Sequence, residues 1–200
     1  MKKIVYTVAL GNYKLNDPKI INSDWDLVCF TNQNFESDYW KIKKIKGGKK
    51  KSRHIKIRSN QYIDYDICLY LDVKFTINCN LDMFVKDHLK TDLALMKHNK
   101  RNCAYDEGEF CIKIGKDRKE IIEEQLKIYK ALGFPKQFGL FAPGVMIKRN
   151  TFEVNKFMEL WYDQIARYSY RDQLSFPYTL WKNPIELSLM DFKKTYGRFS

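Results

Sequence analysis

Several polar residues stand where a chain usually delivers chemistry, at the ends of apolar runs. The clearest is Asp72, which closes the run Ile67-Cys68-Leu69-Tyr70-Leu71 and is followed by Val73 and Lys74. A hard divalent cation wants several oxygen ligands, and Asp72-x-Lys74 offers one carboxylate and one ammonium. Asp64-Tyr65-Asp66 supplies two carboxylates, but it precedes the apolar run and belongs at its opposite end. His98 follows the apolar stretch 93–96, with Arg101 three residues on. It can bind a metal, donate to a phosphate, or serve as a hydrogen-bonded structural imidazole. Arg171-Asp172-Gln173 joins a cation, a carboxylate and an amide that can both donate and accept. Asp172 is a candidate general base or hydroxyl anchor; the structural alternative is a helix cap with Arg171 as ion partner. Asp106 and Glu107 are adjacent, so on a strand they would face opposite ways and at most one would enter a pocket. The alternative is a loop pair balancing Lys100 and Arg101.

The elements that must position these groups alternate in type. Residues 4–10, 25–31, 67–71, 93–96 and 144–147 read as buried strands, and a short strand starts at Trp40. Helical spacing predicts helices over 52–63, over 117–132 with Gly133 as a left-handed cap, and over 152–167 capped by Asn150 or Thr151. Strands alternating with helices predict a single α/β domain over 1–200. In such sheets ligands sit beyond the carboxyl ends of strands. Asp72, His98 and the Gly11 loop all fall at such ends.

The 200 residues carry a formal charge of +12, but ten Lys and Arg and no acid lie within residues 41–58, which leaves +2 for the remainder. That segment fits a solvated loop, a phosphate or anionic-glycan site, or a nucleic-acid patch. No helix-turn-helix, zinc or RNP-type signature accompanies it, and no nucleic-acid partner is expected. Five scattered cysteines without a CxxC pair read as reduced, buried thiols. The run Ile4–Leu10 is broken by Gly11-Asn12 with no cleavage pattern, and no stretch approaches the ~18 apolar residues of a membrane span, so a cytoplasmic protein without a membrane span is expected.

Four blocks taken together resemble a glycosyltransferase-like family that includes plant mucilage-biosynthesis and ceramidase-related Golgi proteins with bacterial and viral relatives. They are Leu71-Asp72-Val73-Lys74; Lys97-His98-Asn99-Lys100-Arg101 with Tyr105-Asp106-Glu107; the helix 121–135 ending in a Gly/Pro turn; and Arg171-Asp172-Gln173-Leu174-Ser175-Phe176. The resemblance implies a GT-A-like fold, a Rossmann-like mixed sheet flanked by helices. It also implies transfer of a sugar from a nucleotide-sugar donor, a UDP-sugar first, to a glycan or glycoconjugate in polysaccharide biosynthesis. On this reading Asp172, Asp72 and Glu107 are the catalytic candidates, and Asp72 is the one candidate metal ligand. Thr7, Gly11, Tyr13, Thr31, Arg53, Lys56 and Lys74 would contact the donor. His98, Arg101, Arg171 and Gln173 would contact the sugar or acceptor. Mn²⁺ or Mg²⁺ would normally bridge the diphosphate, but Lys74 occupies the place of the second acid of a DxD motif. Lys74, Arg53 and Lys56 would then supply part of that positive charge, unless Lys74 simply points to solvent. The alternatives are a non-catalytic glycan-binding relative and a polyanion- or nucleic-acid-binding module built on residues 41–58. A lipid amidase has no zinc-ligand set or Ser/His arrangement to support it.

Overall fold

The computed structural model describes residues 1–199. Seven strands form one mixed sheet: β1 (Lys3–Ala9), β2 (Trp25–Thr31), β3 (Trp40–Lys44), β4 (Ile67–Leu71), β5 (Leu93–Lys97), β6 (Phe141–Arg149) and β7 (Ser188–Met190), in the order β3-β2-β1-β4-β6-β5-β7. Strand β6 runs antiparallel to both its neighbours and the other six run one way, so the carboxyl ends of β1, β4 and β5 share an edge. Seven helices cover the sheet: α1 (Lys49–Ile57), α2 (Leu81–His88), α3 (Ala104–Lys113), α4 (Lys119–Ala131), α5 (Phe152–Arg167), α6 (Asp172–Lys182) and α7 (Phe192–Gly197).

The two-residue period of the strands sorts the core into two layers. Val5, Leu69, Leu71, Val145 and Ile147 pack on one face with Leu81 and Phe84 of α2 and with Phe199. Ile4, Tyr6, Cys68, Tyr70 and Met146 pack on the other with Ile55, Phe157, Trp161 and Phe176 of α1, α5 and α6. Apolar residues three and four apart carry the long helices. In α5, Val154, Phe157, Met158, Trp161 and Ile165 are buried, and the Thr151 side chain accepts from the Val154 amide at its start.

The expected strands and the helices at 117–132 and 152–167 are present, and Gly133 has φ +85° as a left-handed cap requires. Three expectations need correction. The helix placed at 52–63 starts earlier and ends at Ile57, followed by a 3-10 turn at Ser59–Gln61. Asp106 and Glu107 lie in the first turn of α3, not on a strand, so successive residues sit about 100° apart rather than on opposite faces. Asp172 does not cap a helix, because it is the first residue of α6 and makes no capping hydrogen bond. All five cysteines are free and buried. No helix among the described residues is long and apolar enough to cross a membrane.

Candidate active site

Asp72 continues β4 by one residue: its amide donates to the Gly144 carbonyl at 2.8 Å. By the strand period it shares a face with Cys68 and Tyr70, the face covered by α1. The Tyr70 hydroxyl donates to Asp72 Oδ1 at 2.8 Å, and Lys56 Nζ of α1 lies 3.8 Å from the same oxygen. Gly144 on β6 faces the same way. A Cβ there would come within 2.9 Å of Asp72 Oδ2 and 3.4 Å of the Phe75 ring, so the missing side chain makes room for the carboxylate.

Lys56 is 2% exposed and Asp172 is 4% exposed. Lys56 Nζ donates to Asp172 Oδ2 at 2.6 Å, and Arg53 Nε lies 3.3 Å from that oxygen. One helical turn separates Arg53 from Lys56, so α1 presents both cations on one face. Trp161 of α5 fixes the opposing turn by donating its indole N–H to Ser175 Oγ at 3.1 Å. Burial alone would push the Asp172 carboxyl up, but Arg53, Lys56 and Arg171 outweigh it and hold the group well below the usual carboxylate range. Such a carboxylate is a weak base and a firm anchor. The Arg53 guanidinium is itself raised despite burial, chiefly by Asp172.

These groups open into a cavity of about 290 Å³ at the carboxyl ends of β4 and β5. Eight of the expected residues line it: Arg53, Lys56, Asp72, Lys74, His98, Arg171, Asp172 and Gln173. Four basic side chains face two carboxylates, a formal excess of two positive charges. Lys74 is exposed at the rim with Nζ 5.1 Å above Phe75 and 5.5 Å above Tyr196. Arg171 donates to Gln173 Oε1 at 2.8 Å. His98 Nδ1 accepts the amides of Lys100 and Arg101 at 3.2 and 3.0 Å. The neutral ring therefore carries its proton on Nε2, as a donor. Burial holds its pKa below the ordinary value against the opposing pull of Glu107.

The other expected residues lie elsewhere. Glu107 is buried and accepts from Arg101 Nε at 2.5 Å, and the Arg101 guanidinium stacks on Phe110; neither residue lines the cavity. Thr31 spends its hydroxyl between the Ala9 carbonyl and the Gln33 amide. Thr7 is buried mid-strand with no hydrogen-bond partner for its hydroxyl. Gly11 and Tyr13 sit in the loop after β1, where their amides donate to Asn32 Oδ1 and Gln33 Oε1. Asp64 and Asp66 bond Lys2 at the far end of β4. Sequence reasoning missed Tyr70, Gly144, Phe192 and Tyr196. Only Gly144 left a trace, a glycine inside a strand.

The basic segment does not form one charged face. Lys41 pairs with Asp26, Lys50 donates to the Ala166 carbonyl, Lys51 to Tyr62, and Arg58 Nε to Glu159 at 2.8 Å, while Arg53 and Lys56 turn into the cavity. A larger cleft of about 860 Å³ lies at the opposite sheet end, between the residues preceding β5 and the start of α5. Its lining carries Asp92, Glu153, Glu186, Lys90 and Lys156, but among the described residues no ion pair joins these to one another, and we place the site in the smaller cavity.

The donor set does not fit a divalent metal on its own. Asp72 is one carboxylate with an ammonium 3.8 Å away, and Asp172 is already committed to two cations. Among the described residues no three His, Cys, Asp or Glu come together as a metal-holding group.

The protein is an α/β domain with a charged cavity beyond the carboxyl ends of its parallel strands, the place where such sheets hold their ligands. Residues 49–196 match the family described as TOD1/MUCI70, glycosyltransferase-like domain, and the chain belongs to that family. Membership supports a general glycosyltransferase role, without specifying donor or acceptor. Among solved structures, the apo bifunctional glycosyltransferase WbbM aligns with a TM-score of 0.56 at 12% identity, over 94% of this chain and 38% of that one. The likeness is one of fold, and this chain spans well under half the length of that protein. No curated protein matches the sequence.

Proposed function

We propose that the protein transfers a sugar from a nucleotide-sugar donor, with UDP-sugars first among the donors to test, to a glycan or glycoconjugate acceptor in polysaccharide biosynthesis. The observation that carries this reading is the excess of fixed cations around Asp72 at the strand ends. In the transfer, the bond from the anomeric carbon to the diphosphate breaks and its electron pair leaves with the phosphate, while the acceptor oxygen bonds to that carbon and gives up its proton to the departing diphosphate or to water. Negative charge grows on the diphosphate. Arg53, Lys74 and Arg171 stand where they can meet it, already held in place by Asp172, the Phe75 and Tyr196 rings, and Gln173. Preorganised charge of this kind costs no reorganisation at the moment of reaction. His98 Nε2–H and Gln173 offer donors to phosphate or sugar oxygens. Asp172 orders Lys56 and Arg53 rather than abstracting the acceptor proton.

The test is release of nucleoside diphosphate from a panel of sugar nucleotides, in EDTA and in Mn²⁺. The expected result is turnover in EDTA with at least one donor, reduced about 10²-fold in Arg53→Gln. Turnover lost in EDTA and restored by Mn²⁺ would refute the cationic substitution. Cleavage of no donor under either condition would refute the transferase reading.

A further inference from the structure

The cavity has two unlike halves. Arg53, Lys56, Asp172 and Arg171 make one half ionic. The other is walled by Phe75, Phe192 and Tyr196, with Met96, Ala142 and Pro143 between them, and its one charge is the Lys74 ammonium at the rim, 5.1 Å from the Phe75 ring centre and 5.5 Å from that of Tyr196. The rings fix one another: Phe192 and Tyr196 stack at 5.5 Å and 24°, and Phe75 meets Tyr196 edge-on at 5.1 Å and 74°. Helix α7, which carries two of them, is short but tied down. The Asp191 side chain accepts the Lys194 amide at 2.8 Å, the Thr76 amide donates to the Phe199 carbonyl at 2.8 Å, and Phe199 is buried edge-on against Phe84.

A diphosphate gains nothing from an aromatic wall. A pyranose does: one face of the ring is a patch of C–H groups with slight positive character, which matches the negative face of an aromatic ring and is apolar enough to be buried against it. Asp72 lies at the seam between the halves, since its Oδ2 and the Phe75 ring both crowd the space above Gly144. Tyr70 and Lys56 occupy the side of Oδ1, so Oδ2 is the oxygen left to accept a sugar hydroxyl. We infer that the Tyr196–Phe192 wall seats the sugar of the donor, with a C–H face of its pyranose ring on Tyr196 and a ring hydroxyl on Asp72. This inference rests on the nucleotide-sugar reading above.

The experiment compares UDP, GDP, CDP and dTDP with their glucose conjugates, together with UDP-galactose, UDP-N-acetylglucosamine and GDP-mannose, by calorimetric titration of wild type and Tyr196→Leu. Leucine keeps apolar bulk against Phe75 and removes the ring. In wild type at least one conjugate should bind more tightly than its own diphosphate. In Tyr196→Leu that conjugate should weaken about three- to tenfold while the diphosphate changes less than about twofold. Equal weakening of both, no weakening of the conjugate, or a wild type in which no conjugate outbinds its diphosphate would overturn the inference and leave the donor reading standing. A wild type that binds none of these nucleotides would overturn the donor reading, and the inference with it. Should Tyr196→Leu fail to fold, as far-ultraviolet circular dichroism would show, Phe192→Leu is read by the same criterion.

Discussion

Replacing Asp172 by Asn removes one charge and almost no volume, and it leaves Lys56, 2% exposed, without the carboxylate oxygen at 2.6 Å that compensates its burial. The remaining carboxylate, Asp72, lies 3.8 Å away and is already bonded to Tyr70. Arg53 loses the same partner at 3.3 Å. Breaking a buried pair from one side typically costs about 3–5 kcal/mol, because a charge stays buried without its counter-ion. For a domain of this size each kcal/mol moves the melting temperature by about 2–4 °C, so Asp172→Asn should melt roughly 6–20 °C lower. Asp172→Asn combined with Lys56→Met should recover much of that loss, because the pair is removed whole. The acid limb adds a second signature. The Asp172 pKa is depressed in the folded state, so its contribution is complete above the unfolded value of about 3.9 and is lost as pH falls below it. The variant should lack that part of the acid destabilisation. Thermal unfolding by circular dichroism from pH 3 to 7 reads both effects. A single variant within about 1 kcal/mol of wild type, or a double variant less stable than the single, would refute the claim that Asp172 and Lys56 form a mutually dependent buried pair.

Two further outcomes follow from the same geometry. Gly144→Ala should push Asp72 off its position, since the new Cβ would stand 2.9 Å from Oδ2; donor turnover should fall about tenfold or more while stability changes by about 1 kcal/mol or less, as steady-state kinetics and thermal unfolding would show. Lys148 of β6 is fully buried, donates to the Ile57 carbonyl at 2.9 Å and Ser59 Oγ at 2.8 Å, and burial pushes its pKa down to about 8. The folded chain therefore binds fewer protons than the unfolded one between pH 8 and about 10.4, and this group makes stability rise with pH there. Buried Cys29 and Cys79, pushed up to about 12 and about 11, act the opposite way above about pH 8.5. The difference in stability between wild type and Lys148→Met from pH 7 to 9 isolates the lysine: it should shift in favour of wild type as pH rises.

How far the sequence disclosed this site depended on how local each signal was. Asp72 was legible because an apolar run of strand length ended in a charge, and α4 because its spacing ended in a glycine that now shows φ +85°. The basic segment was misleading as a block, because the partners of its charges stand up to 121 residues away, on α5, on α6 and in the turn between them. Arg53 and Lys56 could be suspected of phosphate binding from their type, but the carboxylate that orders them could not be read from spacing. Helix α3 begins without a side-chain cap at Cys103, which removed the usual start signal and let Asp106-Glu107 read as strand or loop. Thr7 and Thr31 share the residue types of nucleotide contacts and already fell within runs read as buried strands; the structure shows both side chains enclosed there, away from the cavity. Gly144 and the Tyr196 wall depend on which strand lies beside β4 and on how the last helix folds back, both of them products of long-range topology.

The proposal that this cavity binds a nucleotide sugar stands on the fixed cations around Asp72. Thermal unfolding with UDP-, GDP-, CDP- and dTDP-sugars, each with Mn²⁺ and with EDTA, tests it most directly. A ligand at about a hundred times its dissociation constant stabilises by about 2.7 kcal/mol, roughly a 5–10 °C rise for a chain of this size. Such a rise is expected with one nucleotide, retained in EDTA and absent in Asp72→Ala. No rise with any nucleotide, alongside a rise with an oligonucleotide or a polyanionic glycan, would contradict it.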